Sequence, residues 1–161
     1  MSRFPRMDPQ AMRDRTMQFG LDVIDLVDSL PNRRSAWKIG DQLVRAATSV
    51  GANYRAATRG RSKAEFVAKL GIVEEEADET MYWLEVIKRK RMAPETVVDP
   101  LLREANELLS IVVASIRTSR RSADFRKSPR SNGRTQSAIQ NPKSSVSDSI
   151  RNPQSAIRNQ E

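Results

Sequence analysis

The chain has 161 residues, which is enough for one domain with a buried core. It contains neither Cys nor His, and this excludes disulfides, thiolate nucleophiles, most zinc sites and Ser-His-Asp relays. Aromatic residues make up only 5% of the chain, while good helix formers abound, so the composition predicts an all-α protein. No secretory signal and no apolar run of about 18 residues is present. We therefore expect a soluble cytoplasmic protein.

The net charge of +8 is distributed unevenly. Residues 1–117 contain 19 basic and 17 acidic residues, whereas residues 118–161 contain 9 and 3. Most of the excess charge therefore lies in the C-terminal segment, and the high pI does not by itself predict that the folded part binds nucleic acid.

Apolar residues recur at helical spacing in four segments. Helix 1 is predicted from Asp14 to Leu30, helix 2 from Ser35 to Arg59, helix 3 from Ser62 to Arg91 and helix 4 from Asp99 onwards. The predicted core stripes are Phe19, Val23, Leu26, Val27 and Leu30; Ile39, Leu43, Ala46, Ala47, Val50, Tyr54 and Ala57; Phe66, Leu70, Val73, Ala77, Thr80, Leu84 and Ile87; and Leu101, Leu102, Ala105, Leu108, Leu109, Val112, Val113 and Ile116.

Local signals mark the ends of these segments. Ser62 and Glu65 have the spacing of a capping box, and Asp99-Pro100 predicts an N-cap followed by the first residue of helix 4. Gly51 and Ala52 permit close packing of helix 2. Four amphipathic helices with short links predict an antiparallel up-down four-helix bundle over residues 14–117, after a flexible N-terminus of residues 1–13.

Residues 118–161 are rich in Ser, Asn, Gln, Arg and Pro and predict a disordered tail. The tail carries a degenerate repeat, Ile139-Gln140-Asn141-Pro142 and Ile150-Arg151-Asn152-Pro153. Such a repeat is typical either of a flexible arm that contacts nucleic acid or of low-complexity sequence without a function.

Residues 42–84, QLVRAATSVGANYRAATRGRSKAEFVAKLGIVEEEADETMYWL, resemble the bacterial four helix bundle protein family, also called the 23S rRNA intervening-sequence proteins. The elements that match are Gln42-Leu43-x-Arg45-Ala46-Ala47, Ala52-Asn53 and Leu30-Pro31. Residues 54–57 depart from the pattern, because many members continue Ala-Asn with Ile-Ala-Glu-Gly.

The resemblance implies a cytoplasmic four-helix protomer that commonly assembles as a homopentamer and has no known enzymatic activity. The accessory variability determinant of diversity-generating retroelements belongs to the wider family. It is a basic pentamer that binds nucleic acid and a reverse transcriptase. RNA, DNA or a reverse-transcriptase-like protein is therefore the partner that the resemblance implies.

A helical projection places Arg45, Arg55 and Arg59 opposite the apolar stripe of helix 2. Arg61, Lys63 and Lys69 follow nearby in the sequence. These six residues are candidates for salt-sensitive contacts with phosphates. The alternative is a solvated or ion-paired helix face, with Asp41 and Arg45 one turn apart as one such pair.

A second candidate surface lies on helix 3, where the projection places acidic and apolar residues together, away from the core. We interpret it as a subunit interface anchored by Tyr82 and Val86, with the carboxylates paired to arginines such as Arg45 or Arg55 of the same or a neighbouring protomer. Ile111 extends the apolar surface of helix 4 in the same way. The alternative is ordinary exposed surface. The interface candidates are Ile72, Glu75, Glu79, Tyr82, Val86 and Ile111.

No catalytic, metal or cofactor site is predicted. Successive Glu residues on one helix diverge and cannot converge on a cation, and Gly60-Arg61-Ser62-Lys63 lacks the pattern of a phosphate-binding loop. The sequence thus predicts a non-enzymatic, homo-oligomeric adaptor that binds nucleic acid or a nucleic-acid-processing partner through basic outer faces. No membrane or small-molecule partner is expected. The alternative is an assembly module that does not bind nucleic acid.

Overall fold

A computed structural model of the chain describes residues 8–127. They form four helices, α1 (Pro9–Asp28), α2 (Arg34–Ala57), α3 (Lys63–Arg89) and α4 (Glu95–Lys127), joined by three links of five residues each. Such short links make successive helices antiparallel neighbours, and α2 packs on α1 and α3 while α3 packs on α4. The predicted all-α four-helix bundle is confirmed. Residues 1–7 and 128–161 lie outside the described residues.

The core follows the predicted stripes closely. Met12, Thr16 and Ala36 join it in addition to the predicted residues. The two buried hydroxyls donate to carbonyls of their own helices, Thr16 to Met12 at 3.0 Å and Thr80 to Glu76 at 2.7 Å, so that neither leaves an unpaired donor in the core. Predicted core residues that are buried are Phe19, Val23, Leu26, Leu43, Ala46, Ala47, Val50, Ala57, Leu70, Val73, Ala77, Thr80, Leu84, Ile87, Leu101, Ala105, Leu108, Val112 and Ile116.

The first helix begins at Pro9, five residues before the predicted start at Asp14. The Asp8 side chain accepts a hydrogen bond from the backbone N–H of Gln10 at 3.1 Å, and Pro9 occupies the first helical position, where its missing N–H costs nothing. Residues 9–13 are therefore helical. This extra length buries Met12 and places Arg13 on the surface of the bundle.

The start of α3 at the predicted capping box is confirmed, with one change. Ser62 accepts from the backbone N–H of Glu65 at 3.1 Å. The Glu65 carboxylate reaches back to the N–H of Arg61 at 2.9 Å, one residue before the N-cap, rather than to Ser62 itself. The cap still stabilises the first turn and fixes the direction in which the chain leaves α2.

The predicted start of α4 at Asp99-Pro100 is wrong. The carbonyl of Pro94 already accepts from Val97 and Val98 at 3.0 and 3.2 Å, and Pro100 lies inside the helix. The Asp99 side chain is not an N-cap, because it accepts from Nζ of Lys88 at 2.6 Å and ties the end of α3 to α4. At its other end α4 extends to Lys127, ten residues beyond the predicted end of the bundle, so part of the basic C-terminal segment is helical.

Glycines allow α1 and α2 to pack closely. An added Cβ at Gly51 would lie 3.3 Å from the backbone oxygen of Thr16, and one at Gly40 would lie 2.8 Å from Cγ1 of Val27. Gly20 faces Thr48 from the α1 side with more room, because an added Cβ would lie 3.6 Å from Cγ2 of Thr48, an ordinary van der Waals distance. The predicted close packing is confirmed at Gly51, whereas Ala52 is exposed. The contacts at Gly51 and Gly40 fix the register of the two helices.

The α1–α4 pair shares the fewest contacts of the four neighbouring pairs. It is joined by Arg15, whose Nε and Nη2 donate to the two carboxylate oxygens of Glu104 at 2.6 and 2.9 Å. Such a bidentate pair has a fixed geometry, and it raises the pKa of Arg15 through the hydrogen bond to Glu104. The ion pair therefore orients α4 on α1 where apolar packing is thinnest.

Two glycine-to-alanine substitutions should have opposite effects on stability. G40A places a methyl group against Val27, whose branched side chain has little rotamer freedom in a helix, and we expect a loss of about 1–3 kcal/mol. G71A is the control, because nothing lies within 4 Å of its Cβ position, and it should gain about 0.5–1 kcal/mol from helix propensity. Denaturant unfolding measures both changes, and a stabilising G40A would contradict the close packing of α1 and α2.

Candidate functional site

The N-terminal part of α1 and the C-terminal part of α2 form a basic cleft. Arg55 and Arg59, both exposed, line it from α2, and Arg13 lines it from α1. The cleft has a volume of about 380 Å³ and its floor includes Gly51. Because Gly51 has no side chain, the backbones of α1 and α2 stay close beneath these cations.

A second cleft adjoins the first and shares Arg13 with it. It has a volume of about 660 Å³. Arg61, in the link before α3, and Lys63, the first residue of α3, both line it. The capping box holds this link in place, since Glu65 accepts from the N–H of Arg61. We call the five cations Arg13, Arg55, Arg59, Arg61 and Lys63 the basic end of the bundle.

The charges of the basic end are not balanced within the described residues. None of its five cations makes an ion pair within residues 8–127. Asp14 is the one carboxylate that lines either cleft, and it accepts from Nε2 of Gln10 at 2.8 Å. The basic end is therefore a surface of concentrated positive charge, which attracts anions.

Arg13 differs from the other four cations in its burial. It is half-buried, and its Nε is covered without a hydrogen-bond acceptor in the described part of the chain. It lies close to Tyr54, whose pKa is raised by burial and lowered, to a smaller extent, by the charge of Arg13. A covered guanidinium donor without an acceptor is uncommon in folded proteins.

The structure thus brings together four of the six predicted nucleic-acid contacts, Arg55, Arg59, Arg61 and Lys63, and leaves two apart. Arg45 lies beside α3, where its charge acts on Glu76. Lys69 is half-buried on α3 and lines neither cleft. The predicted ion pair between Asp41 and Arg45 is not among the ion pairs of residues 8–127. The other form of the alternative, a solvated helix face, stays a prediction, and Arg45 is exposed.

The second predicted surface lies along α3. Tyr82 is 59% exposed, and its ring meets that of Trp83 edge to face with 4.9 Å between centroids. Trp83 donates from Nε1 to Glu79 at 3.0 Å. We call Ile72, Glu75, Glu79, Tyr82, Trp83 and Val86 the α3 face. The hydrogen-bonded carboxylate and the edge-to-face ring pair give this surface a defined shape.

The apolar members of this set have different surroundings. Ile72 and Val86 are half-buried without packing against the buried core, whereas Ile111 does pack against it. Ile111 lies two turns after Glu104, which binds Arg15, so it is on the α1 side of α4. Ile111 therefore contacts the core of its own bundle from α4 but is only half-buried. Its predicted contact with a neighbouring protomer stays a prediction.

Sequence reasoning missed Arg13 and Trp83. Arg13 was assigned to a flexible N-terminus, although Asp8-Pro9 carries the signal of a helix start. Trp83 lies between the core stripe and the outer stripe of α3, and the projection alone does not assign it to either.

Within residues 8–127 no three Asp or Glu side chains converge as a metal site requires. In the same part of the chain, no helix combines the length and apolar character needed to cross a bilayer.

Comparisons with known proteins support the resemblance seen in the sequence. The family model of the 23S rRNA-intervening sequence proteins matches residues 10–114, most of the four-helix bundle. The chain belongs to this family. The match to the 23S rRNA-intervening sequence protein family begins within α1 and ends within α4, so it includes parts of all four helices.

A solved structure has the same architecture. It is the crystal structure of a protein of unknown function from the S23 ribosomal protein family of Bacteroides thetaiotaomicron, 29% identical to the chain, with a TM-score of 0.64. The match covers 69% of this chain and 99% of that one. No curated protein matches the chain.

Glu76, beside Arg45, gives a pH-dependent prediction. Burial raises the pKa of Glu76, the charge of Glu79 raises it further, and Arg45 opposes both. A raised pKa means that the folded chain holds this proton more tightly than the unfolded chain. The carboxylate therefore lowers stability once the pH rises through the folded-state pKa.

E76Q should accordingly be more stable than the wild type at about pH 7. The difference should vanish below about pH 4, where Glu76 is protonated in both the folded and the unfolded chain and is uncharged like Gln. D78N is the matched control, because Asp78 is an exposed carboxylate of the same helix and is not among the charges that shift the pKa of Glu76. It should change stability by less than about 0.5 kcal/mol at both pH values. Urea unfolding at the two pH values measures the free energy of unfolding of each variant. Equal stability of E76Q and the wild type at neutral pH would contradict the idea that burial of the Glu76 carboxylate destabilises the fold.

Proposed function

We propose that this protein is a non-enzymatic, homo-oligomeric adaptor that binds nucleic acid, or a partner that processes nucleic acid, through its basic end. The observation that carries the proposal is the set of five cations around two adjoining clefts, without ion pairs in the described residues. A cationic surface of this kind meets phosphates through contacts that depend on charge and not on base sequence. The adaptor acts in the cytoplasm, as the family resemblance implies.

Four-helix packing supplies the rigidity that such a surface needs. The glycine contacts hold α1 against α2, and the cap at Ser62 fixes the link that carries Arg61. The cations therefore project from fixed backbone positions, which lowers the entropy lost on binding. The proposal requires no metal, cofactor or catalytic residue.

Assembly is the second part of the proposal and rests on the α3 face. An exposed tyrosine in edge-to-face contact with a tryptophan, beside half-buried Val86, is typical of the anchor residues of protein interfaces. We propose that this face joins protomers, with a pentamer as the form that the family resemblance implies. If the basic end does not bind nucleic acid, the α3 face alone supports the alternative function, an assembly module without nucleic-acid affinity.

Reversal of two charges tests nucleic-acid binding. The double substitution R55E/R59E should reduce the dependence of log affinity on log salt by about two, one for each lost phosphate contact, between about 50 and 200 mM salt. R33E/R34E is the matched control, because it changes the net charge equally at the opposite, exposed end of α2. Fluorescence anisotropy with labelled RNA and DNA measures both.

The same measurement is repeated on the full chain with the five cations beyond Lys127 replaced by Gln, namely Arg130, Arg134, Lys143, Arg151 and Arg158. The proposal expects binding to persist in this variant, because the basic end is intact. Equal losses in the two double variants would mean that net charge alone governs binding. Loss of all binding in the tail variant would assign the affinity to the tail.

Polar substitution of the α3 face tests assembly. Y82S/V86S should weaken association at least about thirtyfold, which is the loss expected for a single anchor of about 2 kcal/mol, because the losses at neighbouring anchors are not additive. W37S is the control, because Trp37 is equally exposed, at 62%, but lies on α2. Light scattering over a concentration series measures the mass. A wild-type chain that is monomeric at about 10 µM, or a W37S chain that dissociates instead, would contradict the assignment of the α3 face.

A further inference from the structure

The basic end contains one residue whose surroundings single it out. Arg13 lines both clefts, whereas each of the other four cations lines only one. It is also the residue whose Nε is covered and has no acceptor among the described residues. Arg13 therefore lies at the centre of the positive charge and has an unused donor.

Elementary electrostatics gives this arrangement a cost in the free chain. The five cations outnumber the carboxylates near them, Asp14 in the first cleft and Glu65 on the N–H of Arg61, and they repel one another. The low polarity around a half-buried guanidinium weakens the screening by water. A donor that is removed from water without a partner adds a further cost. Both costs disappear when an anion with several acceptor oxygens binds at Arg13.

A phosphate group has the required chemistry. Its oxygens accept two parallel hydrogen bonds from a guanidinium, through Nε and one Nη, and its remaining charge suits the flanking Arg55, Arg59, Arg61 and Lys63. The side chain of Arg13 is long enough to turn its Nε towards the cleft when the ligand binds. The cleft of about 380 Å³ accommodates a phosphate together with its sugar.

We propose that Arg13 is the central contact of a phosphate-binding site at the junction of the two clefts, and that the phosphate belongs to the backbone of a nucleic-acid strand. The site rests on the proposed function for the source of the phosphate. Its chemistry, a phosphate held by Arg13 and flanked by the other cations of the basic end, does not depend on that source.

Substitutions of Arg13 in the full chain test the contact with a strand. R13Q should reduce the affinity for a single-stranded RNA of about ten nucleotides at least about tenfold, the loss expected for one charge-assisted hydrogen bond. R13K keeps the positive charge but lacks the guanidinium that donates two parallel hydrogen bonds, so its affinity for the RNA should fall less than that of R13Q. R103Q is the matched control, because Arg103 is exposed on α4, makes no ion pair within residues 8–127 and lines neither cleft, and it should change the affinity less than about threefold.

Inorganic phosphate provides a test that needs no variant. The covered Nε–H of Arg13 should exchange slowly with water, so that its NMR signal can be followed in the wild-type chain. Titration with phosphate at constant ionic strength should shift this signal, whereas chloride should not. R13Q then identifies the signal by its absence, and circular dichroism verifies that the variant is folded.

The outcomes separate this site from the proposed function. If the wild type binds RNA but R13Q binds as tightly as R103Q and phosphate leaves the Nε–H signal unchanged, the site is overturned while the proposed function stands. If phosphate shifts the signal but RNA does not bind, or binds without regard to Arg13, the site holds free phosphate and the strand contact is overturned. If neither ligand binds, both the site and nucleic-acid binding at the basic end are overturned.

Discussion

The close contact between α1 and α2 determines where the charged residues of this bundle lie. The backbone of α1 at Thr16 lies against Gly51, and Val27 lies against Gly40. In an antiparallel pair these two contacts fix the register, and one turn beyond the first of them Arg13 meets Arg55 across the same groove. A side chain at Gly51 would separate the helices and widen the groove. The basic end thus depends on the absence of a side chain at Gly51 of α2, opposite Thr16 in α1.

The other long seam of α1 is held by a different kind of interaction. The α1–α4 contact is sparse and is oriented by the bidentate pair of Arg15 and Glu104. Arg13 and Arg15, which are only two positions apart in the sequence, therefore have opposite roles. Arg15 is neutralised within the bundle, whereas Arg13 has no carboxylate partner in the described residues. The periodicity of the helix, which turns them to different sides of α1, accounts for this difference.

The fold was predictable from the sequence because it depends on apolar periodicity, which survives errors at the helix ends. The stripe of α3 from Leu70 to Ile87 is buried as predicted. The ends were harder, as the two Asp-Pro pairs show. Asp8-Pro9 begins a helix, but Asp99-Pro100 lies inside one, because the carbonyl of Pro94 has already started it and Asp99 binds Lys88. A dipeptide signal cannot reveal a competing partner that is distant in the sequence.

The same limit applied to the candidate site. The sequence grouped three arginines of α2 by helical projection and three further cations by proximity along the chain. In the structure Arg45 lies beside Glu76 on the α3 side, and Arg13, far away in the sequence, lines the same cleft as Arg55. Tyr82 lies 19 residues after Lys63 on one helix, or about 28 Å along its axis at 1.5 Å per residue. An assembly joined near Tyr82 would therefore leave the basic end open and repeat it once in each protomer. Several weak phosphate contacts on one nucleic-acid strand would then add through effective concentration, so that assembly and binding reinforce each other without a shared residue.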